Sequence, residues 1–182
     1  MKVVLDACVL YPSVLRAILL RVAAAGCYTP LWSDRILEEW ARATAKLGMA
    51  AQATARADIA LMRGAFPGAT VRAQPNLEAR LHLPDENDIH VLAVAIGSSA
   101  DAILTFNAAD FPRHVLAAEG VARRDPDGFL WELWSHHPAR VTEALEQVRA
   151  EAERMAGTPV ALKPLLKKAQ LPRLAKAVAA QT

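Results

Sequence analysis

Apolar positions along this chain follow two periods. Val3-Val4-Leu5 is a short unbroken apolar run ending in Asp6, the pattern of a strand buried on both faces. Val14–Ala25, the Ile36, Leu37, Trp40 and Leu47 series, and the alanine-rich Met49–Ala65 repeat instead at helical spacing. Punctuation residues separate these runs. Ser13 is placed to cap the first helix and Gly26 to close it at the C′ position, while Ser33 is placed to cap the second. Cys27–Trp32 reads as a second strand. Pro67-Gly68 breaks the third helix before a brief strand over Thr70–Ala73, and Leu83-Pro84 leads to Asp85-Glu86-Asn87-Asp88, an acidic opening to a helix over Ile89–Ile96. Asp101–Phe106 reads as a further strand.

Strands separated by helices predict an α/β fold with a mainly parallel sheet and right-handed crossovers. The pattern then changes. After Phe111-Pro112 come a short helical stretch to Ala118 and a small strand-like Val121–Arg123. Pro126 starts a helix through Phe129–Trp134, Pro138 opens one over Ala139–Ala156, and a helical pair surrounds Pro172. The expected organisation is an α/β domain over residues 1–125 and a helical extension over 126–182.

Composition narrows the class. The 182 residues are 53% hydrophobic, enough for one good core with an appendage. Cys8 and Cys27 both sit in apolar runs, which suits a reduced interior better than a disulfide framework. No apolar run approaches the length of a membrane span and no signal peptide is evident, so a cytoplasmic protein is expected. The net charge of +2 conceals an asymmetry: residues 1–153 hold 15 Lys/Arg and all 19 Asp/Glu, a balance of −4, whereas residues 154–182 hold six Lys/Arg and no acid. Such a basic tail is either a solvated helix face or a surface for phosphates or an acidic partner.

The chemistry rests on acids. Asp6, the only acid in the first thirty-three residues, ends the first strand, and in open α/β sheets ligands bind outside the carboxyl ends of strands. Glu39 lies two turns into the helix after the second strand, Asp88 begins the helix after the acidic turn, and Asp110 follows the last clear strand by a short turn. Gathered at one sheet edge, these carboxylates would repel one another and need a cation. Hard oxygen donors without a Cys or His pair select Mg²⁺ or Mn²⁺, and such a site suits phosphodiester hydrolysis, with the metal orienting phosphate and acidifying an attacking water.

Taken in order, Val3-Val4-Leu5-Asp6, Ser33-x-x-Ile36-Leu37-Glu38-Glu39-Trp40, Asp85-x-x-Asp88 with His90-Val91-Leu92-Ala93, and Leu104-Thr105-Phe106-Asn107-x-x-Asp110-Phe111-Pro112 resemble the successive motifs of the PIN domain. The resemblance covers about residues 1–125. It implies a PIN-like three-layer α/β/α fold and a small metal-dependent ribonuclease, most commonly the toxin of a VapBC-type toxin–antitoxin pair. It also implies a cognate antitoxin, which commonly inserts an arginine among the carboxylates, and often a homodimer. Carried over, Asp6, Glu39, Asp88 and Asp110 would surround the metal, with Thr105 and Asn107 lining it. Many members have aspartate where this chain has Asn107. Either Asp110 supplies the fourth carboxylate or a second metal is weakly held. Of Glu38 and Glu39, about 100° apart on a helix, only one can face the site, and Glu39 aligns better.

Each residue also has a structural reading. Asp88 would cap its helix, Asp110 the helix near Pro112, and Asp85 would be a solvated turn acid or a support to the site. His90, two residues after Asp88, points away from it and suits packing or the surface. His136-His137 read as a helix terminus, the four tryptophans chiefly as packing, and Cys8 as a small buried hydrophobe. Two other functions stand beside the nuclease. A haloacid-dehalogenase-type phosphatase needs an acid two residues after Asp6, where this chain has Cys8. A catalytically weak PIN-like module binding RNA or protein is kept open by Asn107.

Overall fold

The computed structural model describes residues 1–180; Gln181 and Thr182, the end of the expected extension, lie outside the described residues. In chain order the strands are β1 (Lys2–Leu5), β2 (Thr29–Ser33), β3 (Thr70–Val71), β4 (Ala102–Leu104) and β5 (Ala122–Arg124). The helices are α1 (Ala7–Leu10), α2 (Ser13–Ala24), α3 (Asp34–Thr44), α4 (Met49–Ala65), α5 (Pro75–Glu78), α6 (Ile89–Gly97), α7 (Arg113–Ala118), α8 (Pro126–His136), α9 (Pro138–Ala156), α10 (Leu162–Lys168) and α11 (Pro172–Ala179). Among the described residues, no helix is long and apolar enough to cross a membrane.

All five strands are parallel, in the order β3-β2-β1-β4-β5, with Val4 facing Leu31 on one side and Ile103 on the other. This is the expected α/β architecture, a central parallel sheet flanked by helices. β1 is the middle strand, and Val3, Val4 and Leu5 are completely buried, which explains their unbroken apolar run. After β1 the chain builds β2 and β3 on one side, then crosses to build β4 and β5 on the other. The strand order therefore reverses between β1 and β4, and the crevice outside their carboxyl ends is the topological switch point, where ligands bind in such sheets.

Two compact units make up the chain. The first comprises Met1–Tyr11 and Thr29–Arg124, with the whole sheet. Here α6 is apolar on all sides, burying Val91, Leu92, Ala93, Val94 and Ala95 as it packs on β1, β2 and β4. The second unit comprises Pro12–Tyr28 and the described residues from Asp125 on. In it α2 packs on α9, with Arg21 bound to Glu151, and α8 packs on α9 and α11. Tyr28 meets Phe129 edge-on, ring centroids 5.1 Å apart.

Local signals mark most boundaries. Ser33 Oγ accepts the Ile36 N–H at 3.2 Å and caps α3 as expected. Gly26, at φ +77°, follows α2 as anticipated. Ser13 does not cap α2: the helix already includes it, Pro12 occupies the cap position, and no side-chain bond closes the end. The helices α1 and α5 are additions to the expected pattern.

Candidate active site

The site starts where β1 stops. Asp6 leaves the strand in extended conformation, its N–H donating to the Leu104 carbonyl of β4 at 3.1 Å, so its carboxylate stands in the crevice between the two central strands. It is only 7% exposed, and a carboxylate so buried requires donors. Thr105 Oγ1 donates to Asp6 Oδ2 at 2.7 Å and the Cys8 thiol donates to the same oxygen at 3.1 Å. Burial and the neighbouring Asp6 charge push the Cys8 thiol up to about 12. It stays protonated and is no nucleophile. Cys8 is thus half-buried where a buried hydrophobe is expected; it serves as a donor, and it also accepts the Phe106 N–H at 3.3 Å.

The segment after β4 turns back over the crevice. Thr105 Oγ1 accepts the Asn107 N–H at 2.9 Å, a side-chain turn that aims Asn107 toward the acidic helix start. Asn107 Nδ2 donates to Asp110 Oδ2 at 2.5 Å and to Asp88 Oδ2 at 3.3 Å, standing between two carboxylates. Buried Phe111 anchors this segment, and Arg123 of β5 donates to the carbonyls of Ala108 and Phe111 at 2.7 and 3.0 Å.

Asp88 stands at the start of α6 but makes no capping bond. Asp110 likewise does not cap α7, whose cap position is Pro112 and carries no side-chain bond. Their oxygens turn inward: Asp85, Asp88 and Asp110 each offer a carboxylate oxygen, and the three lie within 4.8 Å of one another. Asp85 also accepts the Asn87 N–H and side-chain amide, both at 2.9 Å, which fixes the acidic turn. The Asp88 carboxyl is raised from 3.8 to about 6, first by burial and then by the charges of Asp6, Asp85, Asp110 and Glu39. Every acid proposed from the sequence therefore acts on Asp88, together with Asp85, although Asp6 and Glu39 stand outside the tight trio. Crowded hard oxygens with few donors between them are a set that a divalent cation such as Mg²⁺ or Mn²⁺ fits.

The tandem acids of α3 separate. Glu38 turns to Arg56 and Arg42, whose hydrogen bonds hold its carboxyl below the usual range. Glu39 is held instead by Arg35 Nε at 3.2 Å and lies 2.9 Å from His90 Nε2. Three neighbours carry no sequence signal of their role. His90 is buried, as a packing role anticipates, but its ring meets Glu39; the contact is out of line for a hydrogen bond and neither ring nitrogen has another partner among the described residues. Arg35 also donates to the Asn87 carbonyl at 3.2 Å, tying α3 to the acidic turn. The third, Arg123, lies on an edge strand 12 positions beyond Phe111 and 15 beyond Ala108, whose carbonyls it holds.

Two family models match the chain. A model of the PIN domain covers residues 2–109, and a model of the VapC50 C-terminal domain covers residues 126–180. No curated protein and no solved structure matches it.

Proposed function

The chain belongs to the PIN-domain family, and from that premise we propose that it is a divalent-metal-dependent endoribonuclease, the toxin of a VapBC-type toxin–antitoxin pair. The single observation carrying this reading is the crowding of Asp85, Asp88 and Asp110 beside Asp6, at the switch point of a parallel sheet. Asp6, Asp88, Asp110 and Glu39 would hold Mg²⁺ or Mn²⁺, with Asp85, Thr105 and Asn107 in support. When bound, the ion would supply charge stabilisation at the phosphoryl oxygens and acidify water. Thr105 and Cys8 fix Asp6 through one oxygen and leave the other to the crevice. Asn107 orients Asp88 and Asp110, and Arg35 orients Glu39. In this reading residues 1–125 are the nuclease domain and 126–182 its helical extension.

The match of residues 126–180 to the VapC50 C-terminal domain supports the toxin assignment. A cytoplasmic location, pairing into dimers and a cognate antitoxin that caps the acidic crevice with a cation follow from the same reading. One observation favours a second reading, a catalytically weak RNA-binding module: the neutral Asn107 amide occupies the space between Asp88 and Asp110. RNA cleavage with Mn²⁺ or Mg²⁺ by wild type and by Asp6→Asn separates the two. The nuclease reading expects cleavage by wild type only; equal cleavage by both would remove Asp6 from the site, and none by either would favour the binding module.

A further inference from the structure

The second unit carries a charge arrangement that the nuclease chemistry leaves unused. From Arg154 on there is no acid, and Lys163, Lys167 and Lys168 of α10 and Arg173 and Lys176 of α11 are all exposed. They occupy one side of each helix. α10 buries Leu166, followed by Ala169, and α11 buries Leu174, Ala175 and Val178. At about 100° per residue the cations lie on the opposite, solvent-facing arcs. The two helices pack on each other, and α11 packs on α8. There Asp127 accepts the N–H groups of Arg173 and Leu174 at 2.8 and 2.9 Å, and the Arg173 guanidinium lies 3.6 Å from the centre of the half-buried Trp131 ring. The basic faces therefore stand on fixed helices.

Several cations elsewhere are paired: Arg56 with Glu38, Arg80 with Glu119, Arg149 with Glu146 and Glu153. Among the described residues, none of the five side-chain cations on α10 and α11 forms a salt bridge. Lys163 and Lys167 even sit four residues apart, where like charges repel. A partner of opposite charge relieves that repulsion.

We infer that the exposed faces of α10 and α11 bind the phosphodiester backbone of single-stranded RNA; this deepens the nuclease reading and rests on it. Residues 1–125 balance 13 Lys/Arg against 13 Asp/Glu and the candidate active site is itself a carboxylate cluster, so the nuclease domain offers no net attraction to the polyanion it would cut. Attraction has to come from another part of the chain, and the +6 of residues 154–182 supplies it. Lysines on flexible stems suit a run of phosphates, and the Arg173–Trp131 stack offers a flat cationic face on which a base can lie. An acidic protein would satisfy the lysines but has no comparable use for that stack.

The test uses the full chain carrying Asp6→Asn, so that RNA is not consumed, with and without Lys163→Gln, Lys167→Gln and Lys168→Gln together. Binding of a labelled single-stranded RNA oligonucleotide is followed by fluorescence anisotropy over a series of KCl concentrations, and circular dichroism checks that helix content is unchanged. The triple variant is expected to bind at least about tenfold more weakly at low salt. Its slope of log affinity against log salt should be smaller by about 2, since each lost contact to a single strand removes about 0.7. Unchanged affinity and slope would overturn the inference, and loss of binding only to a polyglutamate probe would reassign the surface to an acidic protein. Cleavage of the same RNA by the wild-type chain is read separately. Cleavage by wild type with unaltered binding by the triple variant removes this surface and leaves the nuclease; weakened binding without wild-type cleavage keeps the surface and removes the nuclease.

Discussion

Asp6 and Asp88 are carboxylates at the same edge of the same sheet, yet their surroundings differ in kind. Asp6 is the more buried, and it faces donors: the Thr105 hydroxyl and the Cys8 thiol both point at one of its oxygens. Asp88 faces mainly other acids, with a single amide from Asn107 at 3.3 Å, and burial first and then those charges raise its carboxyl to about 6. The first end is preorganised by the protein alone. The second is electrostatically incomplete, and a cation would lower its free energy most there. Such a division lets the fold form without metal while keeping a strong demand for it.

Among the residues that support the carboxylates, the largest effect should come from the Asp6 end. Thr105→Val removes a donor from the Asp6 carboxylate and also leaves the Asn107 N–H without its acceptor. Supporting partners of metal ligands are commonly worth about 10–100-fold in affinity or activity, so Mn²⁺ affinity measured by titration calorimetry should fall by that order. The unpaired groups should also lower stability by about 1–3 kcal/mol in chemical denaturation.

At the other end pH is the lever. Below about 6 a proton competes with metal at Asp88, so Mn²⁺ affinity should drop by up to about tenfold per pH unit between pH 6 and 5 and flatten above pH 7. Calorimetric titrations across that range check this. The same shift predicts a stability effect of definite sign. A carboxyl raised in the folded state binds its proton more tightly there than when unfolded, so its contribution is fully present below about 3.8 and lost as pH rises through about 6. At pH 7, metal-free Asp88→Asn should therefore be more stable than wild type. The gain should be on the order of 1 kcal/mol after discounting for a carboxyl that is only half-buried, or about 2–4 °C in melting temperature for a chain of this size. Adding Mn²⁺ should close or reverse the gap.

The smallest effect is expected at Cys8. Its thiol is the weaker of the two donors to Asp6 and is not ionised near neutral pH, so Cys8→Ala should keep cleavage within a few-fold of wild type and cost about 1 kcal/mol at most. A loss approaching that of Asp6→Asn in the same cleavage assay would give the thiol a chemical role and undo the division between the two ends.

How much of this was readable beforehand follows from the range of each interaction. Local features were legible: the apolar run of β1, the Ser33 cap, and α4 with both its boundaries at Met49 and Ala65. The helices α1 and α5 were not, because four residues are too few to show a helical period. Grouping α2 with the C-terminal helices depends on packing against α9 and Arg21–Glu151 pairing across 130 positions. At the site, the acids stood out because carboxylates at strand ends and helix starts are chemically conspicuous. The inward turn of Asp85, the contact of His90 with Glu39 and the hold of Arg123 on the Asn107–Asp110 segment are tertiary events with no local pattern. The separation of Glu38 from Glu39 is expected from helix geometry, but of the arginines that enforce it Arg56 comes from another helix, α4, while Arg35 and Arg42 lie on α3 itself.

The central claim is that the acidic cluster is a metal site for phosphodiester hydrolysis. Cleavage of a labelled RNA by wild type and by Asp88→Asn, with Mn²⁺ and again with excess chelator, tests it most directly. The account predicts cleavage by wild type with metal, none with chelator, and at least about a 100-fold loss in the variant, beyond what supporting residues cost. Cleavage by wild type that survives the chelator, or equal rates for the two proteins, would contradict it.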